Sequence, residues 1–71
     1  MANIEMLKEK ISDRGITMTA LAKKSGMVRE TLYNRLAGTG EFTAPEIVGL
    51  SEALHLSKAD REEIFLKRGS M

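Results

Sequence analysis

The sequence predicts an all-α fold, a compact bundle of five helices in which residues 1–71 form a single domain. Three observations predict it. Apolar residues recur at spacings of three and four along most of the chain, the period of a helix with one buried face. No segment alternates apolar and polar residues for long enough to make a strand. Glycines and hydroxyl residues fall where helix stops and starts are expected. A chain of 71 residues buries only about 60% of its unfolded surface, so caps and turns matter to its stability.

The first helix is expected from about Ile4 to Asp13, with Ile4, Leu7 and Ile11 on one face. Gly15 follows, where a left-handed C-terminal stop suits glycine. Thr17 is an N-cap for a short second helix, Met18 to Ser25, which turns Leu21 and Ala22 inward and stops at Gly26. The third runs from about Val28 to Ala37, with Val28, Leu32 and Leu36 as its buried stripe. Gly38 ends it, and Thr39-Gly40-Glu41 reads as a loop. Thr43-Ala44-Pro45-Glu46 is a capping box, the strongest local signal in the chain. Pro45 in the first turn loses no hydrogen bond, and Phe42 and Ile47 are spaced as a hydrophobic staple. The fourth helix then spans Ala44 to Leu54 and buries Ile47, Leu50 and Leu54. A fifth opens at Ser57 and runs to about Arg68, before Gly69. One helix cannot bury Ile64, Phe65 and Leu66 together in a small core, which leaves some of them for a dimer interface or for packing at the helix end.

Composition excludes several functions. The chain has no cysteine, which rules out disulfides and thiolate metal sites and fits a reducing compartment. Its N-terminus, MANIEMLKEK, is charged, and no apolar run approaches the roughly 18 residues of a membrane span, so a cytoplasmic protein is expected. There is no glycine-rich phosphate loop, no nucleophile beside a base and no second ligand for His55, the sole histidine. His55 sits at the end of the fourth helix, where it suits the dipole. No catalysis and no cofactor are expected. Net charge is only +1 but uneven: residues 1–38 carry seven basic against four acidic side chains, and residues 39–71 four against six. A basic half attracts phosphate.

Met18 to Gly38, MTALAKKSGMVRETLYNRLAG, joins two short helices by a tight glycine turn, the pattern of a helix-turn-helix unit. Ala22 lets the helices approach, Gly26 turns the chain, and Leu21, Met27 and Leu32 fill the wedge against the first helix. These residues resemble the phage repressor and Cro-like helix-turn-helix family, also called the XRE family. So do Gly15-Ile16-Thr17 before the motif and Leu32, Leu36 and Gly38 within it. Glu41 to Ile47, Ala53-Leu54, Leu56-Ser57 and Glu63-Ile64-Phe65 are similar to short phage-encoded members in particular. The resemblance implies a lambda-repressor-like domain that binds operator DNA, usually as a homodimer, to control transcription. The chain departs from the family at three positions: Met18, where many members carry a phosphate-bonding Gln; Val28, often a capping Ser; and Ser25, often apolar.

With Leu32 and Leu36 inward, Glu30, Asn34 and Ala37 point away, Tyr33 lies to one side, and Arg29 sits in the leading turn. Arg29 suits guanine O6 and N7, Asn34 suits adenine N6 and N7, and Glu30 accepts from cytosine N4 or orients Arg29. Tyr33 offers a ring to a thymine methyl and a hydroxyl to phosphate. Thr17, Thr19, Lys23, Arg35 and Thr39 are the expected phosphate contacts on double-stranded DNA. A second reading is a protein-interaction adaptor or antitoxin-like module on the same fold, favoured by Met18 and the low net charge.

Overall fold

The computed structural model describes residues 2–66, with Leu66 described by its backbone alone. Five helices occupy them: α1 Ile4–Arg14, α2 Met18–Ser25, α3 Arg29–Leu36, α4 Ala44–Leu54 and α5 Lys58–Arg61, the last widening into a π-helical turn over Glu62–Leu66. The architecture is all-α, as the periodicity predicts, and no strand occurs among the described residues. The expected continuation of α5 to Arg68 and its stop at Gly69 lie outside them.

Short polar side chains set the helix starts. The amide of Met6 donates to Asn3 Oδ1 at 3.1 Å, that of Ala20 to Thr17 Oγ1 at 3.1 Å, and that of Asp60 to Ser57 Oγ at 3.0 Å. Each satisfies a donor that the first turn leaves without a helical partner. At α4 the capping box closes in both directions: Glu46 N–H donates to Thr43 Oγ1 at 3.3 Å, and Thr43 N–H donates to Glu46 Oε1 at 3.0 Å. The stops rely on left-handed backbone. Gly15 (φ 66°) and Gly26 (φ 75°) supply it without a Cβ penalty, whereas α4 ends on His55 at φ 54°. The Arg14 guanidinium donates to the His55 carbonyl at 3.3 Å and ties the end of α1 to that turn.

Leu7, Leu21, Leu32, Leu50, Leu54 and Ile64 are fully buried, and Ala22 and Leu36 complete the core. Ile4, Ile11, Met18, Met27, Phe42 and Phe65 pack partly buried around it. The Phe42 and Phe65 rings meet edge to face at 5.2 Å, an arrangement aromatic quadrupoles favour. Asn3 N–H donates to the Ile64 carbonyl at 2.6 Å, closing the N-terminus onto the π-helical turn. Lys10 on α1 and Asp60 on α5 form an ion pair at 3.3 Å.

Helices α2 and α4 make the closest approach. Gly49, in the interior of α4, lies so near the Ser25 carbonyl that a Cβ would sit 2.2 Å from that oxygen. Ser25 is buried there, and its hydroxyl donates back to the carbonyls of Leu21 at 2.7 Å and Ala22 at 3.2 Å. That bonding explains how a polar residue occupies an apolar position. The Ser51 hydroxyl is buried without a hydrogen-bond partner.

Three boundaries differ from expectation, one of them the end of α3, which stops at Leu36 with Ala37 as its C-cap. Helix α1 runs one residue further, to Arg14. Helix α3 begins at Arg29, and Val28 is 69% exposed rather than part of the buried stripe. The reason is local. Val28 has extended backbone (φ −69°, ψ 138°), so it lies off the helical cylinder and outside the register of Leu32 and Leu36.

Candidate nucleic-acid interface

Helices α2 and α3 are joined by Gly26, Met27 and Val28. The Gly26 amide donates to the Lys23 carbonyl at 3.3 Å and the Met27 amide to the Ala22 carbonyl at 2.9 Å, a glycine stop that satisfies two carbonyls of α2's last turn. Met27 packs against the core, and Val28 O accepts the Leu32 amide at 3.0 Å to begin α3. Burial of Leu32 and Leu36 then sets the rotation of α3 about its axis.

That rotation leaves Arg29, Glu30, Tyr33 and Asn34 exposed together. Arg29 lies over the Tyr33 ring with its Cζ 5.6 Å from the centroid, within cation–π range. One turn separates the two side chains, and the contact restrains the guanidinium at the leading end of the helix. Tyr33 is 47% exposed and lines a shallow groove.

This groove, of about 370 Å³, is lined by Lys8, Ile11, Met18, Tyr33, Leu36 and Ala37. It brings α1, the start of α2 and the last turn of α3 to one place. Met18 lines it with an apolar side chain. Lys8 is exposed and lines the same groove as Tyr33, a cation that lies outside the Met18–Gly38 motif in sequence and joins it only in space.

Thr17, Thr19, Lys23 and Thr39 are exposed. Thr17 is committed to its cap, and α2 presents its N-terminal amides and positive dipole end beside the groove. Arg35 is placed otherwise. Its Nε donates to Glu46 Oε1 at 3.2 Å and its Nη1 to the Thr39 carbonyl at 3.3 Å, with the pair's side chains only 21% and 17% exposed. The Glu46 oxygen that closes the α4 capping box thus also anchors Arg35, so this guanidinium holds α3 to α4 instead of extending outward. Eleven residues separate the partners, too far for any helical spacing to reveal the pairing. The side chain also passes close to Gly40, where a Cβ would lie 2.7 Å from Nη1.

The carboxyl of Asp60 is held below its ordinary value of 3.8. Partial burial pushes it up, but the hydrogen bond and charge of Lys10, with bonds from the Ser57 hydroxyl and backbone, outweigh that. Among the described residues no group of acidic or histidine side chains is arranged to hold a metal ion, and no helix is long and apolar enough to cross a membrane. The chain matches no protein family model, no curated protein and no solved structure.

Proposed function

We propose that this protein is a sequence-specific DNA-binding regulator of transcription, of phage or prophage type, that works in the cytoplasm by inserting α3 into the major groove. One observation carries the reading: Arg29, Glu30, Tyr33 and Asn34 are all exposed along α3, while Leu32 and Leu36 fix its opposite side in the core. The Tyr33 ring beneath it restrains the Arg29 guanidinium at the leading end of that face. Side chains at the start of such a helix reach deepest among base edges. Arg29 pairs with guanine and Asn34 with adenine, each worth about 1–3 kcal/mol of discrimination. Lys23, Thr19, Lys8 and the N-terminus of α2 supply phosphate contacts that position the protein without reading sequence. Two copies on DNA span half-sites one helical turn apart.

The protein itself carries a probe. Tyr33 is its only tyrosine and it has no tryptophan, so intrinsic fluorescence reports on the proposed reading face alone. Selection of bound duplexes from a random pool is expected to return a recurring sequence, and titration with that duplex to change Tyr33 emission. Arg29→Ala relaxes preference at one position. Lys23→Ala weakens all sequences alike and lowers the log–log salt slope by about 0.9. A pool that returns no recurring sequence, with Tyr33 emission unchanged at low salt, would sink the proposal.

A further inference from the structure

We propose that Val28 is a further specificity-determining residue that reads the 5-methyl group of a thymine, an inference that rests on the DNA-reading function proposed above. Three observations lead to it. Val28 is 69% exposed, well above the other exposed large apolar side chains among the described residues, Tyr33 and Val48, at 47% each. It stands immediately before Arg29, at the end of α3 that leads into the groove. Its extended backbone carries the side chain away from the line of Leu32 and Leu36, and the bond from the Leu32 amide to its carbonyl holds it in place.

A further observation is thermodynamic. Asn3, Thr17, Thr43 and Ser57 each cap their helix through a side-chain oxygen, whereas Val28 makes no side-chain cap bond. A serine or aspartate here would satisfy an orphan amide. Valine forgoes that bond and keeps two methyl groups in water. Positions that break a local stability rule on a binding face are where function is expected. Valine has no donor or acceptor in its side chain, so hydrogen-bond readout is closed to it. In the major groove the base-edge feature complementary to it is the thymine methyl group.

The test removes that methyl and nothing else. Each thymine of the selected duplex is replaced in turn by deoxyuridine, which keeps the base pair, and affinity is measured by fluorescence anisotropy of a labelled duplex. Wild type is expected to lose about 4-fold at one thymine, the worth of one buried methyl group. Val28→Ala and Val28→Ser lose the thymine-over-uracil difference at that position, and Arg29→Ala retains it. Val28→Ser also controls for folding, because its hydroxyl restores the missing cap. If no thymine proves sensitive in the wild type, or if both Val28 variants keep the full difference, Val28 does not read a methyl although sequence-specific binding stands. If the pool yields no preferred duplex, the DNA-reading function falls and this inference with it.

Discussion

Gly49→Ala sets two physical effects of opposite sign against each other. Gly49 lies in the interior of an eleven-residue helix, α4. Helix propensity alone favours alanine there by about 1 kcal/mol. Tertiary geometry opposes it. The new Cβ would stand 2.2 Å from the Ser25 carbonyl oxygen, 3.0 Å from its carbon and 3.2 Å from its Cα. All three are backbone atoms, so no rotamer change relieves the overlap. The helices must separate by about 1 Å, and Ser25 cannot yield alone because it ends α2 one residue before the Gly26 stop. Overpacking of this kind costs about 1–3 kcal/mol, and an overlap with rigid backbone belongs at the upper end. The net expectation is a loss of about 2 kcal/mol, from a total of about 4–10 kcal/mol for a chain this size. Thermal unfolding followed by circular dichroism should show Tm falling by roughly 8–16 °C. DNA affinity should fall as well, since the displaced end of α2 carries the turn that orients α3. A Tm that rises by 4–8 °C, the signature of propensity acting alone, would refute the reasoning.

Further expectations follow from single contacts. Arg35→Met removes a part-buried ion pair and should destabilise by about 1–3 kcal/mol. In DNA titrations it should leave the salt slope as in wild type, and a slope reduced by about 0.9 would return Arg35 to the phosphate contacts. Ser51→Ala removes a buried hydroxyl without a partner and should raise Tm or leave it unchanged; a fall of several degrees would mean the hydroxyl is bonded. Asp60 titrates below 3.8 in the folded chain, so its stabilising contribution is complete above that pH and is lost as pH falls through the folded value. Asp60→Asn should therefore lower stability at pH 7, where that contribution is complete, and converge on wild type as the pH falls well below 3.8, where the carboxyl of the wild type is itself protonated. His55→Gly relieves a left-handed residue at φ 54° and should stabilise by up to about 1 kcal/mol, read as a higher urea midpoint with unchanged slope.

Local signals were legible wherever the relevant partners are a few residues apart. Thr17, Thr43, Glu46 and Ser57 act within one turn, and Gly15 and Gly26 act on their own φ, so caps and stops could be placed from the residues alone. Periodicity likewise placed Leu7, Leu21, Leu32, Leu50 and Leu54 in the core, because a helix repeats its face every three or four residues. It failed at Val28, where the register was extended one residue beyond the cylinder that produces it. The wheel also turned Glu30, Asn34 and Ala37 away from the core, with Tyr33 to one side, since the rotation of α3 follows from burying Leu32 and Leu36, and all four are exposed.

Tertiary structure decided what depends on distance in space between segments distant in sequence. Arg35 is a free-looking cation until α4 brings Glu46 to 3.2 Å. Gly49 is only a weak helix former until α2 lies against it. Lys8 belongs to α1 alone until the groove sets it beside Tyr33. Hydrogen-bond chemistry and helical period are written in neighbouring residues, whereas the approach of two helices depends on every side chain between them. The chain's own order therefore reveals the elements and the face of α3, and packing alone determines which charges on that face remain free to act.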